Sequence, residues 1–293
     1  MRRLTDLLAC GTTFVLACAL GVVPLAACSS SGETAAPAAE EQSQGEAEVA
    51  SGEDVQPDEA VWVMTSNKSH AEDAGMDPWD YTITYELDEA GNIVKDSFDG
   101  ESSYSTYEHD ENGWTVSCTT GGSTDTYENE LDDRGRLVKQ TTSASVTTYA
   151  YDENDNIVSQ TIESMGFTTG ENGDQTETQV TNVFEFDANG YPLRRVMSNS
   201  DGSTLTREYA YELDDAGRPT SYTLRQYSTN PDGSIPEGAD ETVKIDITYD
   251  ENGNIVKTEL DGDDGRSQSS EYTYALVEHP STAARIYAHL KQM

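Results

Sequence analysis

One phrase recurs seven times along this chain: an alternating aromatic stretch followed by Asp-x-x-Gly. It reads Tyr85-Glu86-Leu87-Asp88-Glu89-Ala90-Gly91-Asn92-Ile93-Val94-Lys95 near the start. It returns almost unchanged as Tyr249-Asp250-Glu251-Asn252-Gly253-Asn254-Ile255-Val256-Lys257 near the end. The anchoring aspartates are Asp88, Asp110, Asp132, Asp152, Asp187, Asp214 and Asp250, and only at Asp155 is the glycine replaced. A repeat at this spacing specifies an architecture before it specifies any chemistry.

Asp at the first position and Gly at the fourth predict a type I turn whose exit residue takes positive φ, a conformation that Asp155 also tolerates. Before each turn, apolar side chains alternate with a polar one, mostly glutamate, as in Tyr85-Glu86-Leu87 and Phe184-Glu185-Phe186. That period of two marks a strand with one solvated face. A β-branched stretch follows each turn, so every unit is a β-hairpin. A three-residue loop with a glycine bulge sets Ile93 opposite Leu87, whereas a two-residue loop sets Val94 opposite Tyr85. The two registers place opposite faces of the returning strand inside. Seven hairpins, an opening strand at 61–64 and a closing one at 268–277 make about sixteen strands. A twisted antiparallel sheet of that size is expected to roll into a barrel or half-barrel. The fold class is therefore all-β, with a short C-terminal helix capped by Ser281 that either plugs one end or covers an edge.

The ends of the chain divide it further. Arg2 and Arg3 precede an apolar run over Leu7–Leu25, and Leu25-Ala26-Ala27-Cys28 closes it. Small residues before a cysteine at the end of a signal peptide resemble the lipobox of bacterial lipoproteins. The resemblance implies cleavage before Cys28, diacylation of its thiol and anchoring on the extracytoplasmic face of the cell membrane; a residue bearing two acyl chains is stably held there. Residues 28–60 are rich in Ser, Gly, Ala, Pro, Gln and Glu, a composition that does not fold. They form an acidic tether with a reach of roughly 30 Å. The domains are then 1–27 signal, 28–60 tether, 61–278 hairpin repeats and 279–293 helix.

The repeat resembles the YD repeats of RHS-type bacterial surface proteins, and small repeat lipoproteins of porin-like fold, through Tyr-x-x-Asp-x-x-Gly-Asn-Ile-x-Lys over about residues 60–278. The chain departs from the large RHS shells in length. The resemblance implies an extracytoplasmic β-repeat domain and carries over no catalytic residue.

A formal charge of −38 repels phosphate backbones and excludes nucleic acid as a partner. Once residues 1–27 are removed and Cys28 is acylated, Cys118 is the sole free thiol, and its alternation with Trp114 and Val116 predicts a packed side chain. His70, His109, His279 and His289 lack metal-ligand spacing, and no nucleophile elbow or phosphate loop is present. His109 occupies a position held by Leu, Tyr or Phe in the other repeats, which predicts a packed histidine. The oxygen-rich runs 152–156 and 261–265 match no EF-hand, so turn chemistry is favoured there over calcium. No cofactor is expected.

All Asp-x-x-Gly turns share one edge of the sheet. On the opposite edge the connections at Gly121-Gly122 and Ala144-Ser145 are tight, whereas 164–176 and 228–241 are long. Long loops on one face of a regular array are where binding is placed, which marks Met165, Phe167 and Ile235 as candidate ligand-binding residues. The expected function is a non-enzymatic binding module for a glycan or protein of the envelope or surroundings. The alternatives are an envelope spacer without a ligand and a calcium-dependent surface protein.

Overall fold

The structure, a computed structural model, describes residues 60–72, 78–100, 103–169, 175–261 and 266–291. The signal, Cys28, nearly all of the tether and residues 262–265 lie outside the described residues. Each Asp-x-x-Gly phrase folds as a three-residue hairpin loop. In the first, the Gly91 N–H donates to the Asp88 carbonyl (3.1 Å) and the Asp88 N–H to the Asn92 carbonyl (2.9 Å). One carboxylate oxygen of Asp88 accepts the N–H groups of Ala90 and Asn92, both at 2.9 Å. The same pair of bonds forms at the other six aspartates. Residue four sits in the left-handed region, at φ +80° for Gly91 and +69° for Asp155. Leu87 pairs with Ile93 and Glu86 with Lys95, so the glycine-bulge register is the one adopted.

The strands are β1 (Val61–Glu72), β2 (Trp79–Leu87), β3 (Ile93–Phe98), β4 (Ser103–His109), β5 (Thr115–Thr120), β6 (Ser123–Thr126), β7 (Glu128–Leu131), β8 (Leu137–Thr141) and β9 (Ser145–Tyr151). They continue as β10 (Ile157–Thr169), β11 (Gln175–Phe186), β12 (Pro192–Asn199), β13 (Thr204–Leu213), β14 (Pro219–Thr229), β15 (Asp240–Tyr249), β16 (Ile255–Asp261) and β17 (Ser267–Val277). Only Tyr127 separates β6 from β7; its N–H donates to the Val116 carbonyl at 2.9 Å, so the two are halves of one strand that pairs with β5 and then β8. Apart from β6 and β7, which continue one another, every strand pairs antiparallel with its sequence neighbours, and β1 pairs with both β17 and β2. The meander thus returns to its first strand and rolls into a barrel.

The wall has a wet outside and an aromatic inside. Cross-strand pairs Lys95–Glu86 (2.8 Å) and Lys139–Glu130 (2.5 Å) decorate the outer face, joined by Lys244–Glu212 (2.7 Å). Met64, Tyr191, Tyr222, Ile247, Ile255 and Tyr272 pack within. A barrel that crosses a membrane with its strands needs the reverse, an apolar outer band. Toward the edge opposite the Asp-x-x-Gly turns the filling becomes polar. There Ser69 and Ser270 share a hydrogen bond at 2.8 Å, and the buried Arg207 donates to Gln226 at 2.7 Å.

The turn end is plugged by helix α1 (Thr282–His289). Ser281 caps it, accepting the Ala284 N–H at 3.0 Å and donating to Asn92 Oδ1 at 2.6 Å. Trp114, only 1% exposed, meets Tyr287 edge-on at 5.5 Å, and Leu137 and Ile157 close over Ala283, Ile286 and Leu290. Burying Ile286 and Leu290 contributes about 1.5–3 kcal/mol each. Of the two helix positions the sequence allowed, the structure adopts the plug.

Candidate functional site at the loop-end mouth

With one end plugged, the inner wall meets solvent at the other. Trp79 and Tyr81 alternate on β2 and so face the same way, and Phe98 ends β3 opposite Ile83 on that face. Trp79 and Tyr81 stack at 5.1 Å and 10°, and Tyr81 and Phe98 at 5.8 Å and 17°. Tyr81 is buried in the middle, Trp79 is half-buried, and Phe98 is 40% exposed. Three near-parallel rings therefore form a ladder on the inner wall at the mouth. On the outer face of the adjoining strand β4, Tyr104 is exposed beneath the Lys95 ammonium, 5.6 Å from its ring centre.

The candidate residues fall elsewhere on this rim. Met165 is 57% exposed and Ile235 43%. The run 164–176 is mostly strand rather than loop, because β10 and β11 extend to pair from Met165–Gln179 through Thr169–Gln175. Their outer neighbours end lower, at Ser145–Ser164 on β9 and Val180–Asn199 on β12, so this hairpin stands above the rim as a two-stranded ribbon. Phe167 lies within the ribbon, in register with Glu177. Hydrogen bonding between the two strands extended each other where Gly166 and the threonines suggested a loop. Met165 has the parity of Thr161 and Glu163, opposite to the inward-facing Gln160 that pairs with Phe184. Ile235 follows a second turn type, Asn230-Pro231-Asp232-Gly233-Ser234, in which Asn230 replaces the aspartate: the Asn230 N–H donates to the Ser234 carbonyl (2.8 Å) and the Gly233 N–H to the Asn230 carbonyl (2.9 Å). Asn199–Ser203 repeats this geometry. Met165 lies on β10 and Ile235 follows β14, four interstrand spacings away along the sheet, roughly 19 Å. The aromatic ladder was the missed feature; its signal was the Trp-x-Tyr alternation of Trp79 and Tyr81.

The other polar groups are committed to structure. One oxygen of Asp152 is taken by two backbone N–H groups, and its second accepts Asn156 Nδ2 at 3.2 Å. Asp155 is held by Arg136 at 2.7 Å and by Arg134 from the neighbouring turn. Burial raises the carboxyls of Asp132, Asp152 and Asp250, but hydrogen bonds to the charged form outweigh it and all three sit below the ordinary range. Asp214 is lowered chiefly by the Arg218 N–H. Among the described residues, no group of three His, Cys, Asp or Glu is arranged to hold a metal.

Cys118 is 1% exposed; burial pushes its thiol up, and its sulfur lies 3.7 Å from the Thr120 hydroxyl. The histidines are scattered. His70 bonds Asp80 on the outer wall (2.8 Å), and His289 bonds the Ala188 carbonyl at the plug (3.1 Å). His109 is half-buried behind the plug, where burial lowers it.

Residues 132–163 match the family model of the RHS Repeat. The chain carries an RHS repeat. Its matched segment runs from the Asp132 turn through β8 and β9 to the Asp152 turn and into β10, joined across by Arg136 and Asp155. The other five turns form the same backbone hydrogen bonds as the two in the matched segment. No curated protein matches the chain. Among solved structures, it is similar to a porin-like protein from Bacteroides vulgatus ATCC 8482 (14% identity, 71% of this chain and 97% of that one, TM-score 0.39). A porin-like protein from Bacteroides uniformis ATCC 8492 is similar at 12% identity, over 72% of this chain and 98% of that one, with a TM-score of 0.31. The TcdB2–TccC3–TEV structure matches 68% of this chain at 13% identity (TM-score 0.18), and the chain spans 15% of that one.

Proposed function

We propose that this is a lipid-anchored extracytoplasmic protein whose barrel is a non-enzymatic binding module for a glycan or protein of the envelope or its surroundings. The loop-end mouth is the binding face. The observation that carries the reading is the Trp79–Tyr81–Phe98 ladder, whose outer rings stand open to solvent at the unplugged end. Flat aromatic faces beside polar groups suit partners with one apolar and one hydroxylated side. Anchoring rests on the Leu25–Cys28 motif, and the acidic tether holds the barrel away from the surface. The charged outer wall suits a barrel standing in water above the membrane.

The test is binding of the purified full-length protein to glycan arrays and to envelope extracts. Saturable binding that is lost in Phe98→Ala and Trp79→Ala, with melting temperatures near wild type, is expected. Silence across the screen, or binding indifferent to both substitutions, would reject the mouth as the site and favour a spacer without ligand.

A further inference from the structure

The plug does not cover the whole turn end. Gly91, Gly113 and Gly190 touch Ala284, Ser281 and His289 respectively, whereas Gly217 and Gly253 have no neighbour within 4 Å of where a Cβ would stand. Leu213, just before the Asp214 turn, is 59% exposed, and Leu276, opposite Trp62 on β17, is exposed as well. An arc of the mouth beside the Asp214 and Asp250 turns is therefore open.

A cavity of about 80 Å³ lies between the helix and the inner wall, lined from β1, the first two turns and the start of β16 after the Asp250 turn. Trp62, Met64, Ile255 and Leu290 give it apolar sides, and His109 and Lys291 line it too. Lys291 is fixed through its backbone, which donates to the Gly190 carbonyl at 2.9 Å. Lys291 is half-buried and makes no ion pair among the described residues, in a protein where acidic side chains outnumber Lys and Arg by 55 to 17. Burial pulls its ammonium below the ordinary lysine range. His109 likewise has no hydrogen bond among the described residues; burial lowers it against the pull of Asp88 and Asp110, so it offers a neutral N–H. A cation beside apolar walls that has no carboxylate paired with it among the described residues is an anchor for a negative charge.

We propose that this cavity binds a small organic carboxylate, its hydrocarbon part against Trp62, Met64 and Ile255 and its charge at Lys291. Its volume is roughly half of the ~150 Å³ that accommodates benzene, which limits the ligand to a few carbons. The site lies at the opposite end of the barrel from the aromatic ladder and does not depend on the reading of that ladder.

The test is calorimetric titration of the purified full-length protein with sodium butyrate and with butyramide, its neutral analogue. Saturable binding of butyrate is expected, at least tenfold tighter than the amide. It should weaken at least tenfold in Lys291→Met and persist in Phe98→Ala. Absence of saturable binding by butyrate, propionate and acetate would overturn the proposal. So would amide binding as tight as butyrate, a wild-type comparison that holds whether or not Lys291→Met folds.

Discussion

The Lys291 N–H donates to the Gly190 carbonyl at 2.9 Å, tying the last turn of the plug to the fifth Asp-x-x-Gly turn of the barrel. At the other end of the helix, the Ser281 N–H donates to the Ala90 carbonyl (2.9 Å) and the Ala283 N–H to the Asn112 carbonyl (3.0 Å). Carbonyls of three turns thereby accept three backbone N–H groups at the two ends of the helix. The repeated glycine serves twice in these turns: it permits positive φ, and it lets the helix approach.

These two roles are separable. Gly253→Ala places a side chain at φ +82° with nothing near it, so only conformational strain of about 1–2 kcal/mol is expected. Gly190→Ala adds a collision with the His289 carbonyl and should cost at least about 3 kcal/mol. Urea unfolding of both variants measures the difference; equal losses would mean the plug yields freely.

Packing of the plug is the next expectation. Ile286→Ala empties part of the cluster around Trp114 and Leu137, with an expected loss of about 2–4 kcal/mol. A loss under roughly 1 kcal/mol in the same urea assay would show that the helix contributes little to the barrel.

The turn carboxylates make stability depend on acid. The carboxyls of Asp132, Asp152, Asp214 and Asp250 are lower in the fold than in the unfolded chain. Their contribution is thus complete above the unfolded value near 3.9 and vanishes as pH falls through the folded value. Falling pH also relieves self-repulsion in so acidic a body, so a variant comparison isolates the turn. Asp152→Ala should melt roughly 2–4 °C below wild type at pH 7. The gap should close as pH falls below the ordinary carboxylate range; a gap unchanged at low pH would contradict the hydrogen-bonded carboxylate.

Cys118 is expected to be inert in the fold. Its burial and raised thiol predict labelling by a disulfide reagent at least about a hundredfold slower in buffer than in urea. Comparable rates in the two conditions would place the thiol at the surface.

Anchoring is tested at the cysteine itself. Metabolic labelling with a fatty acid should mark the wild type and leave Cys28→Ala unlabelled and released from membranes. Labelling that survives the substitution would refute lipidation at Cys28.

The hairpins, the inward alternation and the capping serine were all legible in the chain. Each depends on interactions within about ten residues: an aspartate reaching N–H groups two and four positions on, or a serine reaching the third. Register was legible only as two alternatives, and one bulge, seen as Leu87 against Ile93 and Glu86 against Lys95, decided between them. Closure of β1 onto β17 joins chain segments far apart, so no local pattern announces it. The same holds for the helix resting on Gly91, Gly113 and Gly190 and for Lys291 lining a cavity with Trp62. The ribbon carrying Met165 looked like a loop because residue preference is weak evidence where two strands bond each other beyond the barrel. The amino-acid sequence by itself determined the repeating unit, because turn and strand chemistry are local. Tertiary structure alone decided which end is sealed and which residues face the two mouths, because those follow from the long-range pairing that closes the sheet.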